Sequence, residues 1–301
     1  MNNTDILFGI FHTEYSKTKN NFENIISSKL INTIILESNY ESEEFRISME
    51  ELKRHPEIKV WISVGYLAFS LINNLTVADT CEQSAFNPTA TFLSDYKERI
   101  NGLVNFLKEN DFYDNIVGFY MDEPLLWNIK NEWLEEFTKY CTTVAAKGKR
   151  FFVCFSVAGV APEIWTINDV KPIYHDSVKY ITDIAFDMYH KWSDDYNVIL
   201  NHMLRRIGNR KDMRIWMIPC TMNYRGTYKE EYAIEHLNNC YKLLKSFDNP
   251  GGLMCYTYYT FPSDVEDLGN LGLDRIGNQS NKNYWPNLVK RMKEISKEII
   301  G

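Results

Sequence analysis

Eight short apolar segments recur along the chain, and each is followed by a longer stretch with helical periodicity. The segments are rich in β-branched and aromatic residues, and their apolar positions are continuous rather than alternating with polar ones. This pattern is typical of parallel strands that are buried on both faces. The segments cover residues 5–12, 31–38, 58–66, 115–123, 150–157, 181–190, 213–222 and 251–261. The stretches between them predict amphipathic helices.

Eight strand–helix units without a linker or a low-complexity tract predict an α/β fold, a single (β/α)8 barrel that spans residues 1–301 as one domain. An open, doubly wound sheet is the alternative. The count of eight and the lack of a G-x-G-x-x-G motif after the first strand argue against it. The longest connection, residues 67–90 after the third strand, is too long for a plain turn, and its apolar content favours a lid or a cleft wall.

Composition narrows the range of functions. Hydrophobic residues make up 45% of the chain, which is enough for a large core and argues against disorder. The net charge of −7 is spread along the chain, so we expect no nucleic-acid partner. No apolar run reaches the roughly 18 residues that span a membrane, so we expect no membrane partner. We expect a cytoplasmic protein, or a secreted one if a leader has been removed.

The cysteines and histidines give no sign of a metal site. The six cysteines form no C-x-x-C pair and have no metal-type spacing, so we expect them to be reduced and mostly buried. Neither a metal nor a cofactor is predicted.

Polar residues follow the apolar segments where a barrel would have its working face, at the C-terminal ends of the strands. An acid in an apolar strand is unfavourable unless it is paired, so the acids at these ends need an explanation. The candidate acids are Glu37, Asp122, Glu123 and Asp187, and the other candidates for substrate contact are His12, Asn39, Trp127, Tyr189, Tyr256 and Tyr258. Glu37 is either a structural acid or a substrate contact. Asp187 and Tyr189 share one strand face and either line the cleft or form a structural pair.

The stretch "GFYMDEPLLW", residues 118–127, places two acids side by side at the end of the fourth segment. Pro124 ends the strand and predicts extended backbone for Glu123. Neighbouring residues of a regular strand face opposite sides, so both carboxyl groups reach the cleft only if the chain turns at Pro124. One of them would then hold a proton as general acid while the other stays ionised. Glycosidic cleavage needs this arrangement.

With this motif at the fourth of eight predicted strands, the chain resembles the glycoside hydrolases built on (β/α)8 barrels. Many of these enzymes carry their acid/base Glu at the end of strand four, often directly before Pro. The resemblance implies that Glu123 is the general acid and that the substrate is an oligosaccharide or a glycoconjugate. Retaining members usually add a nucleophilic Glu at the end of strand seven. Here Glu230 and Glu231 come too late and are predicted to lie in the next helix.

Two catalytic mechanisms would work without a nucleophilic Glu at the end of strand seven. In the first, the substrate's 2-acetamido oxygen attacks, and Asp122 orients it. The adjacent Asp122 and Glu123 resemble the acid pair of β-N-acetylhexosaminidases, and "FDMY", which contains Asp187 and Tyr189, is similar to a position of chitinase-like barrels. In the second, Glu37 or Asp187 is the second carboxylate, about 5 Å from Glu123 for retention or roughly 6.5–9.5 Å for inversion.

Two other classes remain open. A non-catalytic carbohydrate-binding barrel is favoured by the missing strand-seven acid, whereas the presence of both Asp122 and Glu123 argues against it. A metal-dependent hydrolase would need His-x-His after the first strand, and "GIFHTEY" supplies His12 alone.

Overall fold

The computed structural model describes residues 6–11, 25–26, 28–37, 39–73, 88–165, 170–189, 192–223, 228–256, 273 and 284–301. The strands are β1 (Leu7–Phe11), β2 (Thr33–Glu37), β3 (Lys59–Ser63), β4 (Phe69–Asn73), β5 (Pro88–Phe92), β6 (Ile116–Asp122), β7 (Arg150–Ser156), β8 (Asp183–Asp187), β9 (Arg214–Met217) and β10 (Pro250–Cys255). The α-helices are α1 (Glu43–Lys53), α2 (Gly65–Ala68), α3 (Tyr96–Glu109), α4 (Asn131–Tyr140), α5 (Val157–Val160), α6 (Asp195–Arg206), α7 (Glu230–Leu244) and α8 (Pro286–Ile300).

Eight of the strands close into a barrel in the order β1-β2-β3-β6-β7-β8-β9-β10, with β10 paired to β1. Every neighbouring pair in the barrel is parallel. Seven of the eight apolar segments contain one barrel strand each, and the eighth contains all of β10 except Pro250, so the predicted (β/α)8 barrel is confirmed. All eight strands therefore point their C-terminal ends to the same face, and β6 and β8 are the fourth and sixth strands around it.

Alternate residues of the strands fill the barrel and close its lower end. The interior holds mostly large apolar side chains, among them Trp61, Phe152 and Trp216. Below them lies Asp183, which is fully buried and accepts hydrogen bonds from the Arg150 guanidinium and from Nε1 of Trp216 at 2.6 Å. A buried carboxylate of this kind is stable only when it is paired. The interior is thus packed, so a ligand would bind at the C-terminal ends of the strands, the face that is called the cleft below.

The connection after β3 has structure of its own. It begins in α2 and continues in β4, which pairs antiparallel with β5. Phe69 stacks on Phe92 at a centroid distance of 5.1 Å, and the N–H of Leu93 bonds to the carbonyl of Ala68, which fixes the base of this hairpin on the core. Residues 74–87 lie outside the described part of the chain.

Two further observations concern the part of the chain that the structure describes. No helix there is long and apolar enough to cross a bilayer. Of the six cysteines, the five that lie in this part are free and buried, namely Cys141, Cys154, Cys220, Cys240 and Cys255. Burial in apolar surroundings raises the pKa of each of these thiols, so they stay neutral and pack as small apolar side chains.

Candidate active site

The backbone turns sharply at Glu123, directly after β6. Glu123 has a φ of 38°, in the left-handed region that side chains other than glycine rarely adopt. Its N–H bonds to the carbonyl of Cys154 on β7 at 2.8 Å, and its own carbonyl accepts from Leu126 and Trp127 in the turn that follows. The extended backbone predicted for Glu123 is therefore wrong. The left-handed turn lets two adjacent carboxyl groups face the same cleft.

Asp122, the last residue of β6, is tied to the barrel interior. The hydroxyl of Tyr120 donates to Oδ1 of Asp122 at 2.6 Å. Tyr120 itself is buried and packs edge-on against Phe152, with a centroid distance of 5.1 Å. This hydrogen bond fixes one of the two carboxylate oxygens of Asp122.

Glu123 is joined to the end of β8. Its carboxyl group hydrogen-bonds to the carboxylate of Asp187, and Asp187 also accepts a hydrogen bond from Tyr189. Two carboxyl groups bind each other only when one of them carries a proton. The chain therefore brings a carboxylic acid and a carboxylate into direct contact, across the tip of β7.

The pKa values of the three acids separate their roles. Burial, the charges of Asp187 and Asp122 and the hydrogen bond to Asp187 raise the pKa of Glu123 well above its usual range. Burial and the charge of Asp122 raise the pKa of Asp187 to about 7, while donors from Tyr189 and Glu123 counteract the rise. Burial raises the pKa of Asp122 to about 6 against the effect of Tyr120. At neutral pH the proton thus resides on Glu123, and Asp122 is mainly ionised.

Asp122 is surrounded by other strand tips, yet its side chain is exposed to solvent, as expected for a residue on the floor of an open cleft. Exposure of its carboxylate to solvent limits the effect of burial on its pKa. Glu123 and Asp187 are less exposed. A ligand that displaces solvent would strengthen every charge interaction in the site.

The remaining site candidates lie at different distances from this centre. Tyr189 stacks on Tyr256 with ring centroids 4.8 Å apart and an interplanar angle of 15°, so these two rings form one wall. Glu37 ends β2 and is partly buried. Asn39 is exposed, and its carbonyl accepts from Ser42 at the start of α1. Trp127 packs against the outer core rather than the barrel interior. His12 and Tyr258 lie outside the described residues.

The end of the seventh barrel strand carries no acid up to Asn223, the last described residue before α7. Glu230 begins α7, as predicted, and its carboxylate accepts from the N–H groups of Asn287 and Leu288 at 2.6 and 3.0 Å. It thereby satisfies free N–H groups at the start of α8. The Glu230 carboxylate therefore joins α7 to the start of α8 and does not belong to the site.

Tyr66, which was not among the site residues predicted from the sequence, is the second residue of α2 and is 59% exposed. The charge of Glu37, followed by burial and the charge of Asp122, raises the pKa of the Tyr66 phenol to about 12. The signal that would have found it is its position as the last residue of the third apolar segment, where a barrel carries its working residues.

The described residues contain no group of three or more His, Cys, Asp and Glu side chains that could hold a metal ion. Four carboxyl groups nevertheless lie around the cleft, at the ends of β2, β6 and β8. The arrangement can deliver a proton from Glu123 and stabilise positive charge through Asp122.

No protein-family model matches the chain, and no curated protein sequence matches it. Several solved structures, however, are similar to it in fold. A β-glucosidase from Exiguobacterium marinum superposes over 98% of this chain and 99% of its own, with a TM-score of 0.58 and 7% identity. A family 39 glycoside hydrolase from Bacteroides cellulosilyticus superposes over 98% of this chain and 65% of its own, with a TM-score of 0.60 and 13% identity.

A third solved structure is that of YKL-39 in the presence of chitooligosaccharides. It superposes over 98% of this chain and 99% of its own, with a TM-score of 0.54 and 11% identity. At such identities the likeness shows the shared barrel fold, and barrels of one fold carry many activities.

Proposed function

We propose that this protein hydrolyses glycosidic bonds, with Glu123 as the general acid. The observation that carries the proposal is the position of Glu123 at the mouth of the barrel beside Asp122 and Asp187, where burial and these two acids raise the pKa of its carboxyl well above its usual range. Breaking a glycosidic bond needs a positioned acid that keeps its proton near neutral pH. The superposed glycoside hydrolases and the protein studied with chitooligosaccharides support this substrate class at the level of the fold.

The contact between Glu123 and Asp187 bears on the second catalytic group. Hydrogen-bonded carboxyl oxygens lie within about 3 Å of each other. Both two-carboxylate mechanisms need a larger separation, about 5–5.5 Å or roughly 6.5–9.5 Å. Asp187 therefore fits the role of a partner that holds the Glu123 proton before substrate binds, and fits poorly as nucleophile or base.

The nucleophile that fits best belongs to the substrate. In this mechanism the carbonyl oxygen of a 2-acetamido group bonds to C1 while the bond from C1 to the leaving oxygen breaks. The proton of Glu123 passes to that oxygen. Asp122 accepts a hydrogen bond from the amide N–H and stabilises the positive charge of the new ring. Water then opens the ring and gives its proton back to Glu123.

A second candidate keeps Glu123 as the acid and uses Glu37 as the second carboxylate. Strands β2 and β6 both flank β3 in the barrel. Backbones of strands two places apart are separated by roughly 9–10 Å along the wall. Side chains that keep this spacing suit a base that activates water for inversion, whereas Glu123 and Asp187, also two strands apart, lean toward each other.

The test is a panel of chromogenic glycosides that includes a matched β-glucoside and β-N-acetylglucosaminide. We expect the wild type to cleave the acetamido sugar and Glu123→Gln to lose about 10²- to 10⁴-fold in rate, because the amide retains the shape but has no proton to give. The control is Glu109→Gln, at an exposed position in α3, which should match the wild type.

Each other outcome is informative. Full activity of Glu123→Gln would remove Glu123 as the acid. Equal rates on the two sugars, or a fluoro-sugar adduct on Glu37, would replace substrate assistance by the second candidate. Glycan binding without cleavage by the wild type would favour the carbohydrate-binding barrel.

A further inference from the structure

Tyr66 lies in a segment that is anchored on the core, although its own side chain is exposed. Its neighbours Val64 and Ala68 are fully buried. The N–H of Val64 bonds to the carbonyl of Tyr120 at 3.0 Å, which fastens the segment to the end of β6. Exposed single aromatics are common on protein surfaces, but a loose surface residue would not need anchors on both sides.

The position of Tyr66 in the barrel places it next to two strands that end in acids. It follows β3, and β3 lies between β2 and β6. The carboxylates at the ends of those two strands, Glu37 and Asp122, are the charges that act on its phenol, Glu37 most strongly. Their effect raises the pKa of the phenol and keeps it protonated at neutral pH. Tyr66 is therefore a hydrogen-bond donor placed near two acidic side chains.

A sugar hydroxyl completes this arrangement, because it accepts one hydrogen bond and donates another. The Tyr66 hydroxyl would donate to the sugar oxygen, and the sugar O–H would donate to Glu37. Hydrogen bonds in such a chain polarise and strengthen one another. The exposed face of the phenol ring adds an apolar surface for the C–H face of the same sugar.

We infer that Tyr66 is a substrate-binding residue that shares one sugar hydroxyl with Glu37, on the β2–β6 side of the cleft. The inference rests on the proposed glycosidase function and adds a specificity contact to it. It gives Glu37 a binding role and leaves proton transfer to Glu123.

The test uses the chromogenic glycoside that the wild type cleaves best and measures kcat and KM separately. Tyr66→Phe removes one hydrogen bond and should raise KM about fivefold to tenfold, with kcat within a factor of two. Tyr66→Ala also removes the ring and should raise KM about tenfold further. Tyr113→Phe, before the opposite end of β6, is the matched control and should behave as the wild type.

A double-mutant cycle tests the shared hydroxyl. If Tyr66 and Glu37 bind the same group, Tyr66→Phe combined with Glu37→Gln raises KM less than the product of the single effects. Purely multiplicative effects, or a wild-type KM for Tyr66→Ala in an active enzyme, would overturn this inference alone. A wild type that cleaves no glycoside would overturn the proposed function and this inference together.

Discussion

At the scale of single residues, the catalytic proposal depends on a strained backbone. The position before a proline disfavours the right-handed helical region, and the sequence therefore predicted extended backbone at Glu123. The N–H bond to Cys154 and the turn that follows instead hold Glu123 at a positive φ. For a residue with a side chain this conformation is unfavourable by about 1–2 kcal/mol, and such strain is concentrated at functional sites.

This strain predicts an unusual order of stability. Within a strand Ala is normally more stable than Gly, but at a positive φ the order reverses. We expect Glu123→Gly to unfold with a free energy about 1 kcal/mol higher than Glu123→Ala, measured by urea denaturation. Both variants lack the carboxyl group, so the comparison isolates the backbone. Equal stabilities would mean that the left-handed turn carries no strain.

At the scale of elements, the apolar segments predicted the barrel strands because burial on both faces leaves a continuous pattern. The hairpin after β3 went unrecognised, although its strands alternate: Ser70, Ile72, Thr89 and Thr91 are exposed while Leu71 and Phe92 pack on the core. Alternation over five residues is a short signal, and the long connection around it obscured the pairing of β4 with β5.

Gly118 in β6 is a prediction at this scale. It pairs with Arg150 of β7, and a Cβ at Gly118 would collide with the backbone carbonyl of Arg150. Gly118→Ala should lower the free energy of unfolding by about 3 kcal/mol, since backbone atoms cannot move aside as a side chain can. Gly65→Ala is the control, because the nearest atom to a Cβ there is 4.0 Å away. Similar Tm values for the two variants would contradict the close approach.

At the scale of the whole molecule, barrel closure sets the charge balance of the cleft. Closure brings the ends of β6 and β8 together across β7, so that Asp122, Glu123 and Asp187 share a small volume. Their mutual repulsion keeps one proton bound near neutral pH. The same repulsion makes the fold sensitive to pH.

The free energy of unfolding should therefore decrease as the pH rises and the carboxyl groups of the cleft ionise. The pKa of Asp187 rises from 3.8 to about 7 on folding, so the folded state binds this proton more tightly than the unfolded chain does. Its contribution to stability is fully present below about pH 4 and is lost as the pH rises through 7. The free energy of unfolding of Asp187→Asn, relative to that of the wild type, should therefore increase by about 1–2 kcal/mol from pH 4 to pH 8. The gain is less than the full shift implies, because the side chain is partly exposed and shares a proton with Glu123.

The measurement is urea unfolding of both proteins at pH 4 and pH 8. Asp248→Asn, at an exposed position after α7, is the control and should follow the wild type at both values. An effect of Asp187→Asn that is the same at pH 4 and pH 8 would contradict the raised pKa of this carboxyl.

The amino-acid sequence was enough to predict the barrel and to place the acids at its C-terminal rim. Strand periodicity and composition are local properties, so eight apolar segments specify eight strands, and a residue at the end of a segment must lie near the C-terminal rim. Glu37, Asp122, Glu123 and Asp187 are such residues, and Glu230 lies in the following helix, as its distance from the seventh segment predicts.

Only the tertiary structure decided which of these groups meet. The contact of Glu123 with Asp187 depends on the stagger of strands around the closed barrel, and the position of Tyr66 between Glu37 and Asp122 depends on the neighbours of β3. Periodicity gives the face of a strand on which a side chain lies, but it gives neither the distance across the barrel nor the backbone conformation at a strand end. Those follow from hydrogen bonds between residues far apart in the chain, which form only when the barrel closes.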